Sequence, residues 1–136
     1  MFKLRILILE HGWADLEITI GGQSLLVSFE HTPNDVLADI VLGSIQLVTY
    51  LDTLSVCLPY GSQWEYLYMK RIDSTRCQVS FRSHSQQLTM KQYARAVLRM
   101  FDSYTYARSV QEYIKGWGHV FPQRELEILR SNYRIL

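Results

Sequence analysis

The stretch HGWADLEITIGGQSLLVSFEHTPND, residues 11–35, predicts a β-hairpin that leads into a helix. Gly21 and Gly22 supply a two-residue turn, because paired glycines adopt the left-handed conformations that tight hairpins need. This turn pairs apolar residues across the two strands, Ile18 with Leu25, Leu16 with Val27 and Ala14 with Phe29. Since strand side chains alternate, Trp13, Asp15 and Glu17 must point to the other side of the hairpin.

A further strand over residues 2–9 is predicted to pair with the first strand of this hairpin. Its inward residues share one face by alternation: Phe2, Leu4, Ile6 and Ile8. A three-residue loop over residues 10–12 sets Arg5 opposite Glu17, an opposite-charge pair. A two-residue loop would instead set Ile6 opposite Glu17, so we prefer the first. Leu7 and Leu9 then join Trp13 on the outer side.

The segment after the hairpin reads as a helix start. Thr32 is suited to the N-cap and Pro33 to the first helical position. Asp35, at the third helical position, completes the capping pattern. Apolar residues then recur at helical spacing up to about Leu51.

A second group of strands is predicted over residues 53–58, 64–71 and 76–82. The alternation of the last strand is clear, but the facing of Trp64, Tyr66 and Tyr68 depends on the preceding connection. A three-residue turn sends these aromatic residues outward with Gln78 and Ser80, whereas a two-residue turn sends them inward.

Three helices complete the pattern. The capping box from Thr89 to Gln92 opens the first, and shorter helices follow over residues 106–117 and 122–133. The resulting prediction is an α+β fold with a mostly antiparallel sheet of about six strands, in the order β-β-β-α-β-β-β-α-α-α. Helices cover mainly one face, and residues 1–136 form a single domain.

Composition is that of a soluble globular protein, with 48% hydrophobic and 20% charged residues. The apolar run Ile6–Leu9 is too short for an export signal, and no stretch approaches the length of a membrane span. Two cysteines, Cys57 and Cys77, in an unexported chain favour a reducing compartment. We therefore expect a cytoplasmic protein with no membrane partner.

Charge is distributed unevenly along the chain, although the net charge is only +1. Residues 1–68 hold two basic and eight acidic residues, a net charge of −6, whereas residues 69–136 hold twelve basic and five acidic residues, a net charge of +7. Such polarity is typical of proteins with two interaction faces, or with one face that meets its complement in a second copy.

No catalytic, metal or cofactor motif is present: there is no glycine-rich phosphate loop, HExxH, paired CxxC or GxSxG. His31, Asp35 and Asp39 have spacing that a metal could use, but acidic residues at a helix start are favoured by the helix dipole alone. Cys57 with a histidine could form a nucleophile pair, which scattered residues also produce by chance. We predict a non-enzymatic protein without metal or cofactor.

A basic stripe runs along the helix that begins after Thr89. Lys91, Arg95 and Arg99 are spaced four residues apart, opposite the apolar stripe of the helix. With Arg82 and Arg108 nearby, the stripe could hold phosphates, but a solvated helix face has the same pattern. The near-zero net charge argues against nucleic acid as a partner.

The outer sheet face is the stronger candidate for binding a partner. Its predicted residues combine aromatic and charged side chains: Trp13, Asp15, Glu17, Glu30, Tyr66, Tyr68 and Arg82. An aromatic centre ringed by charges is typical of a protein interface. The alternative is that a helix from residues 105–136 folds over this face.

Scattered positions resemble a family of small bacterial α+β immunity proteins, which are encoded beside polymorphic or contact-dependent toxins. The positions follow the order of the chain: Gly12-Trp13-Ala14, Ser28-Phe29, Pro33-Asn34-Asp35, Trp64, Tyr113, Trp117, Phe121-Pro122, Leu126 and Leu129. The resemblance implies a stoichiometric protein that binds and blocks one cognate toxin inside the producing cell. It carries no binding residues with it.

We therefore expect a binder that neutralises a cognate protein toxin through its aromatic and acidic surface. A homodimeric structural or adaptor protein that uses the same face is the first alternative. A small-molecule binder or enzyme with a pocket near Cys57 and His31, or a nucleic-acid binder, is less favoured.

Overall fold

Two antiparallel sheets and four helices make up the structure. The computed structural model describes all of residues 1–136. Sheet 1 contains β1 (Lys3–Glu10), β2 (Trp13–Ile20) and β3 (Gln23–Glu30), and sheet 2 contains β4 (Thr53–Tyr60), β5 (Gln63–Arg71), β6 (Arg76–Phe81) and β7 (His84–Thr89), each in sequential order. The helices are α1 (Val36–Thr49), α2 (Met90–Ala107), α3 (Val110–Trp117) and α4 (Gln123–Arg134).

The α+β class and the antiparallel pairing are confirmed, but the single sheet of about six strands is wrong. Seven strands divide into sheets of three and four. The additional strand, β7, has the polar sequence HSQQLT, which carries little strand propensity. It pairs with β6 because a two-residue connection, with Arg82 at φ 53°, sets His84 opposite Phe81.

The predicted register of β2 and β3 is confirmed at all three apolar pairs. Arg5 also lies opposite Glu17 as predicted, but the loop over residues 10–12 is wrong. The turn consists of His11 and Gly12 alone, and an irregularity between Ile6 and Ile8 restores the Arg5–Glu17 pairing. Such a bulge reverses the facing of the residues that follow it.

Because of this bulge, the predicted facing of Ile8 and Leu9 at the end of β1 is wrong. Ile8 lies opposite Asp15 and is 41% exposed, whereas Leu9 packs against the core. The outer face of sheet 1 therefore gains Ile8 and loses Leu9.

Two helix starts differ from the prediction. Asp35, not Thr32, caps α1, because its carboxylate accepts the Ala38 N–H. The predicted helix over residues 106–117 is also divided: α2 continues to Ala107, and Ser109 starts α3 through a capping box with Glu112. The predicted capping box from Thr89 to Gln92 is confirmed.

The buried faces of both sheets and all four helices contribute to one cluster of 35 buried hydrophobic residues. Helix α2 packs on β1, and its Tyr93 ring stacks on that of Phe2, the residue before β1, with centroids 5.8 Å apart. Helix α1 packs on β4, and α4 packs on α1 and α2. The helices thus fill the side of sheet 1 opposite to Trp13. No helix combines the length and the apolar composition that crossing a membrane requires.

Candidate functional site

Three side chains form a row across the outer face of sheet 1, beside the turn between β1 and β2. Trp13, at the start of the central strand β2, lies opposite Glu10 of β1 and opposite Glu30 of β3. Residues that pair across strands share one face of a sheet, so the half-buried indole lies between two carboxylates. We call this arrangement the Glu10–Trp13–Glu30 row.

The next rows of the outer face are occupied by residues that already have partners. Asp15 accepts a hydrogen bond of 2.6 Å from the Ser28 hydroxyl. Arg5 Nε lies 3.6 Å from Glu17 Oε1. Glu30, by contrast, makes no side-chain hydrogen bond or ion pair within the chain, so its carboxylate is available to a partner.

Exposed apolar side chains lie beside these charges. Ile8 is 41% exposed and Leu26 is 56% exposed, and each is the cross-strand neighbour of an acidic residue, Asp15 and Glu17 respectively. Apolar residues among carboxylates on an open sheet face are typical of interfaces that exclude water at their centre.

The terminal helices lie on the other side of sheet 1. Trp117 of α3 is fully buried and meets Phe29, an inward residue of β3, with ring centroids 5.7 Å apart. Helix α3 reaches the β1–β2 turn through the Gly12 N–H, which donates to the Gly116 carbonyl over 2.9 Å. The predicted surface residues Trp13, Asp15, Glu17 and Glu30 are therefore brought together on one open face.

Tyr66 and Tyr68 lie on a different sheet. They point outward along β5, where Tyr68 lies opposite Ser80, so the outward alternative for these residues is the one observed. The register is that of the predicted three-residue turn over residues 73–75, because Arg71 lies opposite Cys77 and the Ile72 N–H donates to the Arg76 carbonyl over 2.9 Å. With Trp64 they form an aromatic row in which Trp64 is 55% and Tyr68 is 52% exposed.

An open groove of about 760 Å³ lies beside Tyr68, at one end of this aromatic row. Its lining combines Tyr68 with polar residues of β4 and β6, including Ser55, Gln78 and Ser80. Cys57 lies opposite Tyr66 rather than beside a histidine. Burial raises the pKa of the Cys57 thiol, against the lowering influence of the Tyr66 hydroxyl, so the thiol is not activated as a nucleophile.

Arg82 does not belong to the outer surface with Tyr66 and Tyr68, so its predicted placement is wrong. Its guanidinium makes two hydrogen bonds of 2.7 and 3.0 Å to Glu65 and donates to the Leu26 carbonyl over 3.2 Å. The hydrogen bond from Arg82 lowers the pKa of the Glu65 carboxyl. Because Leu26 is in sheet 1 and Glu65 in sheet 2, Arg82 joins the two sheets.

The basic stripe on α2 is present, but α4 lies beside it. Tyr133 of α4 accepts a hydrogen bond of 3.1 Å from Arg95 Nε, and Lys91 Nζ lies 5.3 Å from its ring centroid. Arg99 continues the stripe and makes no ion pair. Arg108, predicted to lie nearby, instead approaches Glu112 at the start of α3.

A polar cluster that the sequence does not predict connects the β3–α1 loop to the α3–α4 loop. The ring nitrogens His31 Nδ1 and His119 Nε2 lie 3.2 Å apart, and His119 Nδ1 lies 3.6 Å from Asp35 Oδ2. Asp35 also accepts the Trp117 indole N–H over 2.8 Å. The spacing of 88 residues between the histidines gave no local signal. Gly118 and the Phe121-Pro122 step mark the loop that contains His119, but they give no sign of its partner.

The acidic set considered for a metal does not converge. Asp39 accepts a hydrogen bond from Asn34 over 2.8 Å, while Asp35 faces Trp117 and His119. No group of three or more histidine, cysteine, aspartate or glutamate side chains has a geometry that could hold a metal ion.

Comparisons of the chain with protein-family models, with curated proteins and with solved structures found no match. The resemblance to immunity proteins stays a prediction.

Proposed function

We propose that this chain is a bacterial immunity protein that acts in the cytoplasm, where the outer face of sheet 1 binds and neutralises a cognate protein toxin without catalysis. The Glu10–Trp13–Glu30 row carries the proposal. It combines a large aromatic surface with two flanking negative charges, and Glu30 has no partner within the chain.

The row suits a cationic side chain of the partner. An arginine or lysine that stacks on the face of Trp13 gains a cation–π interaction, and the two glutamates can neutralise its charge. Ile8 and Leu26 supply adjoining apolar area that a flat protein surface could cover. These features favour a protein partner over a small ligand, because the face is open.

The charge of this face indicates a basic partner. Four carboxylates, those of Glu10, Asp15, Glu17 and Glu30, share it with two cations, Lys3 and Arg5. Complementary charge increases the rate of encounter between two proteins, and toxins that attack nucleic acid carry basic surfaces of the required kind. A homodimer through the same face would bring carboxylates of the two copies together, which disfavours it.

The test uses the toxin domain encoded by the adjacent reading frame, co-expressed with this chain. We expect a stoichiometric complex and protection of growth. Glu10→Lys with Glu30→Lys should slow association by at least about tenfold at low salt, whereas Glu127→Lys, on the exposed side of α4, should leave it unchanged.

Trp13→Thr should weaken the complex chiefly through faster dissociation, by about 2 kcal/mol or more, and Trp64→Thr on sheet 2 is the matched control. Absence of any complex with the adjacent gene product would contradict toxin neutralisation. A complex that survives both the Trp13 and the double glutamate substitutions would contradict the assigned face.

A further inference from the structure

Four arginines converge between α2 and α4, on a part of the molecule that the proposed function does not use. They surround a groove of about 300 Å³, which also contains Asp102 and Tyr133: Arg95, Arg99, Arg130 and Arg134. Four positive charges against one negative charge leave this groove with a formal charge of +3. Its volume corresponds to the lower end of the range for small-molecule sites.

Two of the arginines are held in place by the protein. Arg130 makes two hydrogen bonds to the carboxylate of Asp102, of 3.2 and 3.0 Å. Arg95 donates to the Tyr133 hydroxyl, and its guanidinium carbon lies 5.8 Å from the centroid of that ring. Fixed guanidinium groups lose less conformational entropy when a ligand binds.

The other two arginines have no internal partner. Arg99 and Arg134 are exposed and make no ion pair or side-chain hydrogen bond within the chain. Like charges this close repel one another, and a bound anion would remove that repulsion. Paired guanidinium forks match the oxygen geometry of phosphate groups.

We infer that the groove between α2 and α4 binds the phosphate groups of a small oligophosphate ligand. The charge of +3 suits a ligand with two or more phosphates rather than a monovalent anion. A nucleic-acid strand is disfavoured because the groove has a single aromatic ring, Tyr133, over which Lys91 and Arg95 already lie, whereas strand binding uses a series of aromatic rings on which successive bases stack.

The test is calorimetric titration of the full chain with pyrophosphate, with sulfate and ADP as comparison ligands. We expect saturable 1:1 binding of pyrophosphate that weakens as KCl is raised, with sulfate at least about tenfold weaker because it carries fewer charges. ADP should bind about as well as pyrophosphate if the phosphates alone are recognised, and more tightly if the natural ligand is a nucleotide; both results support an oligophosphate site.

Arg99→Gln and Arg134→Gln should each weaken pyrophosphate binding by about tenfold, because each removes a charge-assisted contact. The guanidinium of neither residue makes a hydrogen bond or an ion pair within the protein, so both variants should fold. Arg124→Gln, an exposed residue of α4 outside the groove, is the matched control. The inference is overturned by equal binding of sulfate and pyrophosphate, by binding that survives the Arg99 and Arg134 substitutions together, or by tighter binding of a single-stranded oligonucleotide than of pyrophosphate.

Discussion

Trp117 donates its indole N–H to the Asp35 carboxylate over 2.8 Å and so fastens the end of α3 to the start of α1. The accepting oxygen, Oδ1, is the one that receives the Ala38 N–H and caps α1, at 3.2 Å. The other oxygen lies 3.6 Å from His119 Nδ1. One side chain therefore stabilises the start of α1 and anchors the end of α3 to it.

Asp35→Ala should lower the free energy of unfolding by more than the loss of an ordinary helix cap does. An N-cap contributes about 1 kcal/mol, and the Trp117 N–H would in addition be left buried without an acceptor, for a total of about 2–4 kcal/mol. Urea unfolding measures the difference, with Ser109→Ala as the control that removes only a cap. Equal costs for the two variants would show that the Trp117 hydrogen bond adds nothing.

Gly116→Ala should destabilise the protein more than Gly43→Ala, although both glycines lie within helices. A Cβ on Gly116 would collide with the backbone carbonyl of Leu9, which cannot move without displacing β1. A Cβ on Gly43 would meet the end of the Leu54 side chain, which can change rotamer. We expect about 2 kcal/mol or more for Gly116 and about 1 kcal/mol or less for Gly43 in thermal unfolding. The reverse order would contradict the close approach of α3 to β1.

Tyr113→Phe should raise the free energy of unfolding by about 1 kcal/mol. The Tyr113 ring is fully buried between aromatic neighbours, and its hydroxyl has no hydrogen-bond partner. Burial also raises the pKa of this hydroxyl, which keeps it neutral. Tyr133→Phe is the control, since it loses the bond from Arg95 and should be neutral or slightly destabilising. A loss of stability in Tyr113→Phe would indicate that the hydroxyl has a partner after all.

The Cys77 thiol should make stability fall in alkaline solution. Burial raises its pKa from 9.0 to about 11, against a lowering influence of Arg71. The folded protein thus holds this proton more tightly than the unfolded chain, so the contribution is complete below pH 9.0 and is lost as the pH rises toward about 11. Urea titrations of wild type and Cys77→Val across this window measure it. An equally steep decline in Cys77→Val would assign the effect to other groups.

Local sequence was sufficient where the determining residues are neighbours in the chain. Gly21 and Gly22 specify both the turn and the register of β2 and β3, and Thr89 with Gln92 specifies the start of α2. The Arg5–Glu17 pair was predicted from a loop of the wrong length, because the bulge in β1 compensates for the shorter turn. A bulge adds one residue to a strand, and a hydrophobic pattern with a period of two does not show where it lies.

The remaining features depend on contacts between distant segments. Strand β7 exists because β6 offers it an edge, although its own residues are weak strand formers. Arg82 was expected to face outward by alternation, but Glu65 and the Leu26 carbonyl hold it between the sheets. The split between the sheets separates the Trp13 face from Tyr66 and Tyr68, which sequence reasoning had placed together. The pairing of His31 with His119 is likewise visible only in three dimensions.

The indole N–H signals of the three tryptophans test the proposed binding face most directly. Trp13 lies in the proposed interface, and Trp64 lies on the outer face of sheet 2. Trp117 is buried, and its indole N–H donates to Asp35. In a ¹H–¹⁵N spectrum of the labelled chain, addition of the toxin domain from the adjacent gene should shift the Trp13 signal and leave those of Trp64 and Trp117 in place. A shift of the Trp64 signal with no change at Trp13 would contradict the assignment of the outer face of sheet 1 as the binding surface.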